Sequence, residues 1–199
     1  MGLIKANAEL TLATSSIMIM MYLTTLIKVC RGSKYKLVIK LLILLIVSNI
    51  CLLVSDWSFY IYKTRTFVGI PWFWISLSAI SSFILLVCFN LSRWIFAFEY
   101  YSISRFMPYV LKGQDLPESE LKFDTKFNNT MISINVAIPF FNQVAQFINN
   151  WWYFANIGGD WYWTYIVTKM LELLLQVFSG FLLGYGLRQI RKNLKSSAN

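Results

Sequence analysis

Five runs of this chain are long and apolar enough to cross a bilayer, and they decide what it can fold into. A hydrocarbon core ~30 Å thick takes ~20 residues of helix at 1.5 Å per residue. The runs cover about residues 8–27, 37–57, 71–90, 131–154 and 161–187, and the second is the most apolar. Charged residues make up 14% of the 199 positions, where a soluble domain carries ~25%. The expected fold is all-α: a polytopic transmembrane helix bundle with five spans, forming one domain over residues 1–199.

The segments between the runs read as follows. Lys28–Lys40 is a basic turn, and YKTRTFVG is a short loop. Pro71 opens the third span, where a first helical turn tolerates it. Residues 92–111 are aromatic but contain Arg93, Glu99 and Arg105. Joined to the third span they would make a helix of ~60 Å, twice the hydrocarbon thickness. They are therefore expected to leave the membrane as an inner-surface amphipathic helix, ended or bent at Pro108. Residues 112–130 read as a hydrophilic inner loop with one helical turn after Pro117. ANIGGD is a tight connection between the last two spans, and residues 188–199 form a basic tail. At the start of the chain, Lys5 is a thin basic region, Glu9 interrupts it, and no A-x-A site follows; this does not read as a cleavable signal.

Charge and tryptophan placement give the orientation independently. With the N-terminus outside, the inner side receives Lys28, Arg31, Lys34, Lys36, Lys40, Arg93, Arg105, Lys112, Lys122, Lys126, Arg188, Arg191, Lys192 and Lys195, fourteen of eighteen cations. The outer side receives Lys5, Lys63 and Arg65, and Lys169 stays in the membrane. Cytoplasmic loops carry the excess of cations, so N-outside and C-inside is favoured. Trp57, Trp72, Trp74, Trp151, Trp152, Trp161 and Trp163 then all fall at the outer interface, where indole rings prefer to sit. The sequon Asn128-Asn129-Thr130 falls inside and is expected to stay unmodified.

The composition excludes several chemistries. The chain has no His, which removes Ser-His-Asp and Cys-His nucleophiles and His metal sites. Cys30, Cys51 and Cys88 are far apart with no CxxC spacing, so neither a metal site nor a disulfide framework is expected. No P-loop, dinucleotide fingerprint, zincin motif or paired-carboxylate signature appears. No cofactor, no catalytic residue and no enzymatic activity are expected. The net charge of +9 lies in short runs beside apolar segments. Those runs suit anionic lipid at the inner surface of the bilayer better than nucleic acid.

The last two spans carry a polar seam. At 100° per residue, Asn135, Asn142, Gln143, Gln146, Asn149 and Asn150 fall within an arc of roughly 120°. Pro139 shares that arc and frees the carbonyl of Asn135 from its helical bond. Thr168, Lys169, Glu172, Gln176 and Ser179 occupy roughly 100° of the fifth span, with Tyr165 in the same arc. Antiparallel pairing through the short ANIGGD connection sets Gln146 against Lys169, Asn142 and Gln143 against Glu172, and Asn135 near Ser179. Lys169 and Glu172, three apart, can pair. The seam reads either as a hydrated cavity, ligand pocket or proton path, or as polar contacts that lock two helices together. Gly180 and Gly184, beside Ser179 and Gly186, make a small-residue face for close helix packing, inside the chain or between copies.

The run Ser92-Arg93-Trp94-Ile95-Phe96-Ala97-Phe98-Glu99-Tyr100-Tyr101 resembles a group of multi-pass, often heptahelical, membrane proteins of single-celled eukaryotes. Those proteins carry an H-W-x-F-A-x-x-Y-like run at this place; here Arg93 stands where they have His. Leu175–Gly180 is similar to them as well. The resemblance implies a match to the first five helices of a seven-helix plan and brings no established activity. Taken together, the sequence leads to a non-catalytic accessory subunit or receptor-like component, working with other membrane subunits or as a homo-oligomer. The alternative is a small transporter or channel that uses the seam.

Overall fold

A computed structural model describes residues 2–30, 36–64, 71–155 and 162–197. All secondary structure among them is helical: α1 (Gly2–Cys30), α2 (Lys36–Thr64), α3 (Pro71–Leu111), α4 (Glu118–Ala155) and α5 (Tyr162–Ser197). Four of the five, α1, α2, α3 and α5, are long and apolar enough to cross a membrane by length and composition. The ANIGGD connection after Ala155, residues 31–35 of the 28–40 turn and residues 65–69 of YKTRTFVG lie outside the described residues, as do the side chains of Asn149, Asn150, Trp151 and Trp152.

The chain divides into two compact units, 1–89 with 143–161 and 90–142 with 162–199. In the first, α1 packs along α2. Thr14, Thr24 and Thr25 return their hydroxyls to carbonyls of their own helix at 2.8–3.0 Å, so these three groups are satisfied locally. Thr11 instead donates to Asp56 Oδ2 across to α2, at 2.7 Å. Ser55 on α2 meets Ser82 Oγ at 2.7 Å and Ser78 Oγ at 3.3 Å on α3. Such small hydroxyl residues let two helices approach closely while their polar groups bond.

One long helix stands where two segments were expected. α3 runs unbroken for 41 residues, from Pro71 past Arg93 and Pro108 to Leu111. The limit set by bilayer thickness applies to the buried part of a helix and does not stop the helix at the surface. Nor does Pro108 end it. The stop lies at Gly113, with a left-handed φ of 63°, where Gln114 N donates to Tyr109 O and Gly113 N to Val110 O at 3.0 and 3.1 Å. That pair of bonds is a Schellman motif, which satisfies carbonyls left over in the last turn.

The hydrophilic stretch is also more ordered than a loop. Only residues 112–117 connect the helices, and α4 starts at Glu118 and includes residues 118–130. Pro117 supplies the carbonyl that accepts Glu120 N and Leu121 N. Glu118 and Glu120 place negative charge in the first turn, where the helix dipole favours it.

Tertiary contacts hold these helix ends in place. Arg105 on α3 forks between the two acids of α4: Nη2 donates to Glu120 Oε2 at 3.0 Å and Nη1 to Asp124 Oδ1. Tyr109 OH donates to Glu120 Oε1 at 3.4 Å. Glu120 and Asp124 are four apart and share one helix face, which one guanidinium can bridge. About three turns back along α3 from Arg105, Trp94 is completely buried. It stacks on Phe98 and Phe178 and meets Phe127 edge-on. α5 docks on the same helix through Gly186, where an added Cβ would lie 2.9 Å from the carbonyl carbon and oxygen of Tyr100.

Candidate functional site

The polar seam condenses around Glu172. This carboxylate is only 4% exposed. Its Oε2 accepts Lys169 Nζ at 3.0 Å, one turn back on α5, and Asn142 Nδ2 at 3.4 Å from α4. The antiparallel register that sets Asn142 against Glu172 is therefore present. Thr168 Oγ1 lies 3.3 Å from Asn142 Oδ1 but also 2.9–3.0 Å from the carbonyls of Thr164 and Tyr165. A hydroxyl has one proton to give, so the nearer backbone acceptors take the larger share of it.

The field of Glu172 also reaches the Arg93 guanidinium of α3, while Lys169 and Asn142 are bonded to the carboxylate itself. Sequence reading set Arg93 apart as part of a helix already outside the membrane. The signal that could have included it is the continuity of α3.

The rest of the seam does not converge. Asn135 is buried, but its Nδ2 donates to Met131 O of its own helix at 2.8 Å, and Ser179 returns to Leu175 O at 2.9 Å. Gln176 is half-buried and Gln146 exposed. Gln143 Oε1 is buried without a hydrogen-bond partner. The side chain of Asn149 lies outside the described residues. Gly180 and Gly184, expected to pack a helix, have no heavy atom within 4 Å of a built Cβ; the close approach occurs at Gly186. In the aromatic run 92–101, Trp94 and Ala97 are buried and Phe96 is exposed.

Two groups passed unnoticed in the sequence. Asp56 lies within the second span and is held by Thr11; a carboxylate one residue before Trp57 was the available signal. The Arg105–Glu120–Asp124 fork has no short-range signature, because its partners are 15 and 19 residues apart. Asp124 is buried with Oδ2 unpartnered. Burial and, secondarily, the Glu120 charge push its carboxyl above the ordinary range, against the opposing pull of Arg105. Beside this fork an open concavity of about 390 Å³ is lined by Arg105, Pro108, Tyr109, Lys112, Gln114 and Glu120.

Among the described residues, no group of three or more Cys, Asp or Glu could hold a metal ion. The Glu172 group can hold charge, accept a proton or bind two helices together. The chain matches no protein-family model, no curated protein and no solved structure.

Proposed function

We propose that the chain is a non-catalytic integral membrane protein, an accessory subunit or receptor-like component that works through helix contacts on the inner side. In this reading α4 also crosses the membrane, which makes five spans, and the N-terminus lies outside. One observation carries the reading. α3, α4 and α5 have 41, 38 and 36 residues, so each is about 55–60 Å long and exceeds a ~30 Å hydrocarbon layer by nearly half its length. The excess is braced by the Arg105 fork, and it shows Val110, Leu111, Leu121 and Phe123 to the surroundings. A stiff, partly apolar projection with no reactive group is suited to holding a partner. The test is the native mass of the full chain after gentle extraction from its source membrane. Other chains attached in a fixed ratio, or a defined homo-oligomer, support the reading; a monomer overturns it.

The second reading, a small transporter or channel, draws on Glu172: a buried carboxylate on a membrane-length helix, with Lys169 bonded to it and Arg93 within its field. Intramembrane ionisable residues commonly line solute or proton paths. Glu172→Gln in reconstituted vesicles decides it. Loss of flux with an unchanged melting temperature supports transport; equal flux in both proteins removes it.

A further inference from the structure

The last turns of α5 have two opposite faces. One is docked on α3: Gly186 sits against the Tyr100 backbone, and Asn193 Nδ2 donates to Ser104 O at 3.3 Å. Gln189 and Ile190, on the same side, are half-buried. Arg188, Arg191, Lys192 and Lys195 follow at intervals of three, one and three residues, and all four are exposed. At 100° per residue they fall within an arc of roughly 100° centred opposite Gly186. None of them forms an ion pair among the described residues. The sole acid of α5 is Glu172, sixteen residues before Arg188.

The stripe begins where an apolar surface stops. Trp163, Val167, Met170, Leu174, Phe181 and Tyr185 are exposed along the preceding length of the helix. From Trp163 to Tyr185 the helix rises about 33 Å, one hydrocarbon thickness. Arg188 then lies about 5 Å past that boundary and Lys195 about 15 Å past it. The headgroup zone of one leaflet is several ångströms deep, and long basic side chains bend back toward it. Four exposed cations are thus held away from the protein by the docking of the other face, at the depth of a headgroup layer around this helix.

We propose that this stripe is a binding site for anionic phospholipid headgroups, which fasten the inner end of α5 to the membrane surface. The proposal rests on α5 crossing the membrane, as in the function proposed above. Each cation near an anionic surface favours binding by roughly fivefold.

The experiment reconstitutes the full chain in phosphatidylcholine bilayers and compares the association of spin-labelled phosphatidylserine with that of spin-labelled phosphatidylcholine. A preference of about fivefold or more for phosphatidylserine is expected. It should fall to near unity when Arg188, Arg191, Lys192 and Lys195 are all changed to Gln, and persist in the Arg188→Lys, Arg191→Lys protein. Equal association of both lipids, or an undiminished preference in the Gln variant, overturns the proposal. Loss of the preference in millimolar inorganic phosphate at constant ionic strength also overturns it, by assigning the stripe to free anions. Alkaline carbonate washing of the same vesicles separates the two ideas. A chain that washes off refutes the membrane reading itself, whereas a retained chain without lipid preference refutes the stripe alone.

Discussion

Asn193 donates its side-chain amide to the backbone carbonyl of Ser104 at 3.3 Å, across from α5 to α3. Ser104 is four residues before Pro108, so its carbonyl is the one that Pro108, lacking an N–H, leaves without a helical donor. The residue is buried, and a buried carbonyl without a partner costs about 1–3 kcal/mol. A side chain 89 residues away thus repairs the helix that proline interrupts, which explains how α3 continues to Leu111.

Asn193→Ala should lower stability by about 1–2 kcal/mol. In a Pro108→Ala background, residue 108 supplies its own N–H to Ser104, and the same substitution should cost less by about 1 kcal/mol. Thermal unfolding of the four proteins in detergent measures this coupling. Equal costs in both backgrounds would show that Asn193 does not serve the carbonyl freed by proline.

Gly186 and Gly184 are two residues apart and should respond oppositely. A methyl group at 186 meets Tyr100 backbone at 2.9 Å, which cannot rotate away, while at 184 it meets nothing within 4 Å. Gly186→Ala should therefore cost about 1–3 kcal/mol through forced separation of α5 and α3. Gly184→Ala should be neutral or stabilising by up to about 1 kcal/mol through helix propensity. A comparison of Tm in the same detergent checks both, and a drop at 184 matching that at 186 contradicts the packing described.

Trp94 combines packing with one directed bond, Nε1 to Asn128 Oδ1 at 2.8 Å. Trp94→Ala should cost about 3–5 kcal/mol by opening a cavity among Phe98, Phe127 and Phe178. Trp94→Phe keeps part of the ring contact and should cost about 1–2 kcal/mol, chiefly the lost hydrogen bond. Asn128 is also the first residue of the sequon, and in the proposed topology it never meets the glycosylation machinery. Glycosidase treatment of the chain from a glycosylating host should leave its mass unchanged; a shift removed by Asn128→Gln would reverse the orientation.

Membrane-length helices are legible because their signal is local: a run of apolar residues specifies its own helix in lipid. The Asn142–Glu172 contact was legible too, since two stripes and antiparallel pairing set a register. Other features depend on what lies opposite a residue. Residues 118–130 look like a loop by composition, yet Glu120 and Asp124 share a face only a distant Arg105 occupies. Small-residue spacing marks a face on which helices can meet, but whether the contact falls at Gly184 or Gly186 depends on the backbone of Tyr100. Asn135 counted toward the seam by its angle and spends its amide on its own helix. Angular position tells where a side chain begins, and the choice of acceptor is made by the nearest carbonyl.

The Asp124 carboxyl makes the fork between α3 and α4 sensitive to acid. Asp124 lies in the first turns of α4, outside the proposed spans. Its pKa in the folded chain is raised, first by burial and then by Glu120, with Arg105 pulling it down. The folded chain therefore takes up this proton at a higher pH than the unfolded chain, whose Asp titrates near pH ~3.9. By linkage, the stabilising contribution of this group is fully present below the unfolded value and is lost as pH rises through the folded one. Asp124→Asn removes the titration while keeping the shape. The stability of the wild-type protein relative to Asp124→Asn should thus improve as pH falls from 7 toward about 4. Paired melting curves across that range measure it. A relative loss of wild-type stability on acidification would mean that Arg105 outweighs burial, and that the fork is held by a carboxylate of lowered pKa.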